Sequence, residues 1–516
     1  MSDSRTHKSL KNIGVATLML AVNMLLQFFC RKIFLYRLGS EVLGLNTTAT
    51  NLLQFLNIAE LGVGVAVGFS LYKPLLDDDR RRINEIVALQ GHLYRYIGLI
   101  VLGGALIISC FFPLIFSKMK LPLWYAYASF GVLTLSALLS YFVNYKEVLL
   151  TADQKDYKIA YSFRLCMMLR LVAQYFCVKY LDNPYIWWVV LEGGFAVIAA
   201  MTLNAMIRHT YPYLKRPPLT ARELRNAYPE IVTKIKQVFF HKISTFVLQQ
   251  TSTLIIYAFA SLTLVAYYGN YMLVVTGAIL LLNALFNSIG AGVGNLVAEG
   301  DRPHILSVFS ELFSVRFFLS ALAAMLLFFA AQPFICLWIG REYLLPASTL
   351  FIISLTLFLN TSRNSVDSFI NAYGLFRDVW APITEACLNI GLSVLFGWLW
   401  GLNGILLGVV VSLVLIVFIW KPYFLYSAGF NEPIRGYIVL YIRHIIALAI
   451  ACAVVYLAAP MLPGAVDASP LPLVDSVKGF IIYALSLTAL TSAVLYLLLM
   501  IFTSGMRLFT RRFVRR

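Results

Sequence analysis

The chain has 516 residues, 60% of them hydrophobic and 13% charged, with a mean hydropathy of +0.80. A soluble chain of this length divides into a few domains with polar surfaces, and here the charge to cover them is missing. The formal charge of +17 is spread through short polar gaps, where it reads as topology signals and contacts to anionic lipid and excludes a nucleic-acid partner.

Apolar stretches long enough to cross a bilayer, each needing roughly 20 residues, recur along almost the whole chain. Runs such as 97–116 and 437–459 lack the alternation of barrel strands, so the spans are helices. They fall at 12–36, 43–72, 93–117, 122–145, 157–178, 185–207, 238–261, 265–297, 313–338, 344–372, 380–400, 403–426, 436–459 and 478–502. The polar start and long first span predict a retained helix rather than a signal peptide.

Basic residues alternate across this count. Lys8, Lys11, Arg80–Arg82, Lys146, Lys155, Lys158, the 208–237 segment, Arg302, Arg377, Lys421, Arg435 and the tail fall on one side. The other side holds little beyond Lys118, Lys120, Lys179 and Arg341, apart from Arg31, Lys32 and Arg37 in the first gap. The positive-inside rule then places both termini in the cytoplasm.

The gap 208–237 carries Thr220 and Glu223 at capping-box spacing, with Leu224, Tyr228, Ile231, Ile235 and Val238 following at helical spacing. This predicts an amphipathic linker helix on the inner leaflet, kinked or restarted at Pro229. On either side, three pairs of matches recur at an offset of 220 to 226 residues. They are Gly64 and Gly68 with Gly290 and Gly294, Asp79–Ile83 with Asp301–Ile305, and Leu150–Ala152 with Ile370–Ala372. The expected organisation is a six-helix lobe over 1–207, the linker 208–237, a second six-helix lobe over 238–427, and two extra helices with a basic tail over 428–516. Repeats of six spans start and end on one side, which makes the lobes parallel around a central cavity, as in several transporter folds.

Signatures of soluble enzymes are missing, including the phosphate loop, the nucleophile elbow and the zinc-protease motif. Neither a cofactor nor a metal site is expected. Gly62-Val63-Gly64 reads as a close-packing surface. Asp77–Asp79, followed at once by three arginines, reads as a solvated loop rather than a glycosyltransferase metal pair. The seven cysteines sit in apolar segments without a C-x-x-C pair and read as small buried hydrophobes.

Charge inside a span costs about 2.5–3.5 kcal/mol on insertion scales, so it faces a cavity or a partner. Arg31, Lys32, Arg37, Arg164, Arg170 and Arg363 are candidates for a cationic cavity. Snorkelling to the outer interface is the competing reading for the first three, and pairing with Asp367 for Arg363. Asn46, Asn51, Gln54, Gln249, Asn270 and Asn287 are candidates for its polar lining, against interhelical packing. Glu60 and Glu385 are candidates for ion coupling, against hydrogen-bonded acids packed between helices.

The residues Arg37-Leu38-Gly39, Gly44-Leu45, Ala59-Glu60-Leu61-Gly62 and Lys73-Pro74-Leu75, with Glu385–Asn389 and Gly401–Ile405, resemble the Wzx-type polysaccharide flippases. These belong to the multidrug/oligosaccharidyl-lipid/polysaccharide (MOP) exporter superfamily. The resemblance implies a bacterial inner-membrane flippase, not an enzyme, carrying an undecaprenyl-pyrophosphate-linked oligosaccharide by alternating access. The family's cationic cavity for the pyrophosphate makes Arg31 its closest match here, and the last two helices can form a groove for the lipid tail. Partners implied are the lipid-linked oligosaccharide, membrane lipids, Na+ or H+, and other polysaccharide-assembly proteins. An ion-coupled multidrug exporter of the same superfamily is the alternative, and a membrane glycan polymerase or ligase a more remote one.

Overall fold

The computed structural model describes residues 5–215, 217–286, 289–375, 378, 380–466 and 471–514. Among these the protein is helical, without a strand, and nine helices are long and apolar enough to cross a membrane. Two of the nine double back at a glycine. In α1 (Arg5–Leu56) the break is Gly39 at φ 83, and in α14 (Trp380–Leu413) it is Gly401 at φ 58. Counted with α5 (Leu165–Tyr180), α8 (Pro229–Phe259) and α12 (Ala347–Ser362), the described residues supply fourteen helical arms, a polytopic all-helical membrane fold.

The α14 hairpin shows why glycine is needed. A Cβ on Gly404 would collide with the Phe396 carbonyl, and one on Gly408 with the backbone at Leu392 and Ser393. Ser393 donates to the Ile405 carbonyl at 3.0 Å, and Asn389 to Ser412 at 3.3 Å. Small residues four apart thus bring the two arms into backbone contact, and the buried polar groups find partners across the seam.

The contacts resolve two compact units, Met1–Tyr257 with Ser261–Ala266, and Ala258–Ala260 with Tyr267–Arg516. In the first unit α1 is followed by α2 (Val63–Leu76), α3 (Arg80–Cys110) and α4 (Trp124–Phe142), then α5 and α6 (Pro184–Thr210). The second span is not one helix. It breaks over Asn57–Glu60, and Gly62 at φ 97 starts α2. α7 (Ala221–Ala227) carries the capping box, with Thr220 N–H on Glu223 Oε2 at 2.7 Å and Glu223 N–H on Thr220 Oγ1 at 3.3 Å. Pro229 starts α8 afresh. The apolar face of this linker differs from the membrane-surface helix expected. Leu224 and Ile231 are fully buried in protein, and Tyr228 donates to Glu85 of α3 at 2.6 Å, so α3 takes the place of lipid.

The second unit holds α9 (Leu262–Phe286), α10 (Ile289–Glu299), α11 (Arg302–Trp338), α12, α13 (Asn364–Ala372) and α14. It also holds α15 (Arg435–Ala458), α16 (Val477–Phe502) and α17 (Ser504–Val514). α11 is its spine, with Phe309, Phe313 and Phe317 meeting Phe369, Tyr437, His444 and Phe358 edge-on. α15 and α16 pack on the same spine, for example through Phe334 against Phe480. The basic tail folds into α17, where Arg512 pairs with Glu311 of α11 at 3.2 Å.

Equivalent turns recur in the two units. Asp79 caps α3 by accepting from Arg82 N–H at 3.0 Å, and Asp301 caps α11 by accepting from His304 N–H at 3.4 Å. Gln154 and Gly374 are both left-handed, at φ 56 and φ 64. The next residues, Lys155 and Leu375, bond back to Leu150 and Ile370 at 2.8 and 3.0 Å. That is one helix-ending motif in two copies. The cysteines are less buried than expected. Cys110 and Cys387 are exposed and the other five half-buried, because a small apolar side chain can face lipid without cost.

Candidate functional site

In the first unit, α5 runs parallel to the first arm of α1 and antiparallel to α6. Cys30 bonds to the Leu171 carbonyl at 3.1 Å, and Arg37 donates to the carbonyls of Val178 and Leu181, both at 3.1 Å. Arg37 is therefore committed to the last carbonyls of α5, where a cation is favoured. Arg170 of α5 is paired with Glu192 of α6, whose other oxygen accepts from Gln174 at 2.9 Å. Arg31 is half-buried, and Lys32 and Arg164 are exposed.

The polar stripe of the second span finds partners inside the unit. Asn46 accepts from Ser129, which bonds Tyr185 at 2.7 Å. Asn57 accepts from Tyr141 at 2.8 Å, and Glu60 from Tyr94 at 3.1 Å. Asn51 turns back on its own helix to the Thr47 carbonyl at 2.7 Å, and Gln54 is half-buried. Around Glu60 a second carboxylate approaches. Glu147, just beyond the end of α4, is pushed up to about 7 by burial and by the negative charges of Glu60 and Asp156, with Arg164 opposing.

The second unit contains a charge cluster of its own. Arg363 reaches Asp367 at 3.4 Å and Glu385 at 3.6 Å, and Lys421 reaches Asp367 at 2.7 Å. Two cations thus face two acids at the junction of α12, α13 and α14, and the pairing of Arg363 with Asp367 is realised. Arg316 stacks over Phe286 with its guanidinium carbon 4.3 Å from the ring centroid. Asn270 is fully buried in α9. Gln249 lies on α8, but its side chain is outside the described residues, as is Asn287. Reading the sequence missed Glu192, Arg316 and Glu147. The signal for the first two was an ionisable residue inside an apolar run.

The second unit also holds an apolar groove of about 440 Å³ between α11, α12 and α15. Met325, Phe328, Phe351, Phe358, Leu448 and Tyr456 form most of its wall. Its chemistry suits a hydrocarbon chain and no charged group.

No family profile matches the chain, and no curated protein does. Solved structures do match. A lipid II flippase, MurJ in an inward closed conformation, superposes with a TM-score of 0.63 at 15% identity, covering 94% of this chain and 98% of the flippase. A multidrug resistance MATE family transporter of the MOP superfamily, inward-facing, superposes with a TM-score of 0.59 at 13% identity, covering 80% of this chain and 98% of the transporter. The class is thus a multi-pass membrane protein. Its fold is the one seen in these two solved structures.

Proposed function

We propose that this chain is a Wzx-type flippase of the bacterial inner membrane, with both termini in the cytoplasm. It carries a polyprenyl-pyrophosphate-linked oligosaccharide by alternating access. The observation that carries this reading is the pair α15 and α16 on α11, with the 440 Å³ apolar groove that α15 closes. A cargo with a long hydrocarbon tail needs such a surface; a small amphipathic drug does not. The match supports it further, because the lipid II flippase covers 94% of the chain and the multidrug transporter 80%, a difference about the size of this helix pair.

In this reading the sugar and pyrophosphate leave the lipid while the tail stays in hydrocarbon or in the groove. Arg31, Lys32 and Arg164 are the cations proposed for the pyrophosphate, because guanidinium and ammonium groups bind phosphate oxygens well. Asn51 and Gln54 are proposed for the sugar. Glu60 with Glu147 is proposed as the proton-coupling pair, with Glu385 tied instead to Arg363.

The second reading is an ion-coupled multidrug exporter. It is favoured by the carboxylates that neutralise Arg170 and Arg363, which leave less positive charge to repel a cationic drug. The deciding experiment removes the protein and follows lipid-linked glycans and drug sensitivity together. A lipid-linked oligosaccharide that builds up on the cytoplasmic face, cleared by the wild-type chain, supports the flippase. Drug hypersensitivity with unchanged lipid intermediates supports the exporter and refutes the flippase.

A further inference from the structure

A polar cavity of about 160 Å³ opens in the first unit, behind the Tyr94 ring that separates its Tyr145 from Glu60. This is many times the ~15 Å³ that one water needs. Three segments distant in sequence build it: α3 over 84–95, the turn Tyr145-Lys146 after α4, and Leu214-Lys215 after α6. His92, Arg95, Lys146 and Lys215 line it together with Asn84 and Tyr145, and no carboxylate does.

Backbone and amide bonds fix the walls, and the Lys146 ammonium lies 5.6 Å from the centroid of the Tyr145 ring. Asn84 donates to the Tyr213 carbonyl at 3.3 Å and accepts from Lys215 N–H at 3.2 Å, which holds the third segment on α3. Gln90 donates to the Tyr145 carbonyl at 2.8 Å and fixes the turn. Gly91 leaves room for the Tyr145 ring, which a Cβ there would meet at 3.0 Å. Arg80 stacks on Tyr213 at 5.0 Å, a further tie between the third segment and α3. The acid nearest along α3, Glu85, is held by Arg81 at 3.0 Å and Tyr228 at 2.6 Å.

Position narrows the ligand. α3 has 31 residues, about 46 Å at 1.5 Å each, and so outreaches a ~30 Å hydrocarbon core. Its polar first turns carry the excess, which puts the wall residues Asn84, Val87 and Ala88 outside the core, and Lys146 lies just past the end of α4, so the cavity opens at the level of the lipid headgroups. Arg95, Lys146 and Lys215 bring three cations to one cavity, and a bound anion offsets their mutual repulsion. Burial first, and then the charge of Arg208, push the Lys146 ammonium below the usual lysine range.

We propose that the cavity lined by Arg95, Lys146, Lys215 and His92 binds a phosphate group at the membrane surface, as the headgroup of an anionic phospholipid or as free phosphate. Arg supplies a fork for two phosphate oxygens, the lysines supply point charges, and Asn84 and Tyr145 supply neutral hydrogen bonds. The site does not depend on the cargo that the protein carries.

The test uses the full chain in a neutral detergent, with thermal unfolding followed during titration with phosphatidylglycerol, phosphatidylcholine or inorganic phosphate. Arg95→Gln/Lys215→Gln removes two exposed charges without touching the wall bonds, and its midpoint without ligand reports whether it folds. Arg222→Gln/Arg225→Gln, on the exposed face of α7, is the control for surface charge. Stabilisation of the wild type by phosphatidylglycerol but not phosphatidylcholine, half-saturating at least tenfold later in the Arg95/Lys215 variant only, supports a headgroup site. The same pattern with inorganic phosphate assigns it to free phosphate. No stabilisation of the wild type, equal titrations of wild type and variant, or an equal loss in the α7 control overturns the proposal.

Discussion

Arg170 and Glu192 form an ion pair across the seam of α5 and α6, and Gln174 occupies the second carboxylate oxygen at 2.9 Å. The side chain of Glu192 is 9% exposed and that of Arg170 19%, so neither charge is well served by water. Such a pair adds little net stability while intact, but breaking it strands a charge.

Glu192→Gln is therefore expected to destabilise the protein by about 3–5 kcal/mol. The double variant Arg170→Gln/Glu192→Gln should recover most of that loss. Thermal unfolding in detergent measures both, and a double variant no better than Glu192→Gln would refute structural pairing. If Arg170 served the cargo instead, its own replacement would abolish translocation while leaving stability unchanged.

The hairpin of α14 gives a sharper steric prediction. Gly404→Ala places a methyl group on the Phe396 carbonyl, which belongs to backbone and cannot rotate away. Overpacking costs about 1–3 kcal/mol where side chains can move, and a backbone collision should reach the top of that range or exceed it. Gly391→Ala, on the same helix with open space around it, is expected to fold normally. Equal yields of folded protein from the two variants would contradict the close approach of the arms.

Glu147 links structure to pH. Its carboxyl is raised from the ordinary 4.5 to about 7 by burial first and then by Glu60, with Arg164 pulling the other way. A raised acid favours the folded state while protonated, so that contribution is complete below pH ~4.5 and is lost as pH rises through about 7. Glu147→Gln keeps the neutral form throughout. It should match the wild type near pH 5 and exceed its stability above pH 7 by about 1–3 kcal/mol. Transport that depends on this proton should lose its pH dependence between 6 and 8 in the variant. A pH profile identical to that of the wild type would remove Glu147 from coupling.

Much of this was legible before any coordinates. The cap at Thr220, the restart at Pro229 and the pairing of Arg363 with Asp367 are local, set by residues within four positions of each other. The repeat was legible because the same turn chemistry recurs at an offset of about 220 residues. What stayed hidden joins residues distant in the chain. Glu192 meets Arg170 across 22 positions, and Lys421 meets Asp367 across 54. One dimension shows that a charge in a span needs a partner, but not which one. The stripe Asn46, Asn57 and Glu60 was visible as a face, and its resolution by Ser129, Tyr141 and Tyr94 was not.

The groove separates the two readings of function most directly. Cys452 is half-buried in its wall on α15, with the groove beside it rather than a packed neighbour to displace. Cys452→Trp should fill about a quarter of the 440 Å³ and narrow the groove at little cost in stability, because the added ring replaces lipid or empty space. If a polyprenyl tail occupies the groove during transport, translocation of the lipid-linked oligosaccharide in reconstituted vesicles should fall at least tenfold, while a water-soluble short-chain analogue is carried nearly as before. A cargo without a long tail would not sense the ring. Full activity of Cys452→Trp on the natural lipid would separate the helix pair from cargo handling and return the drug exporter to first place.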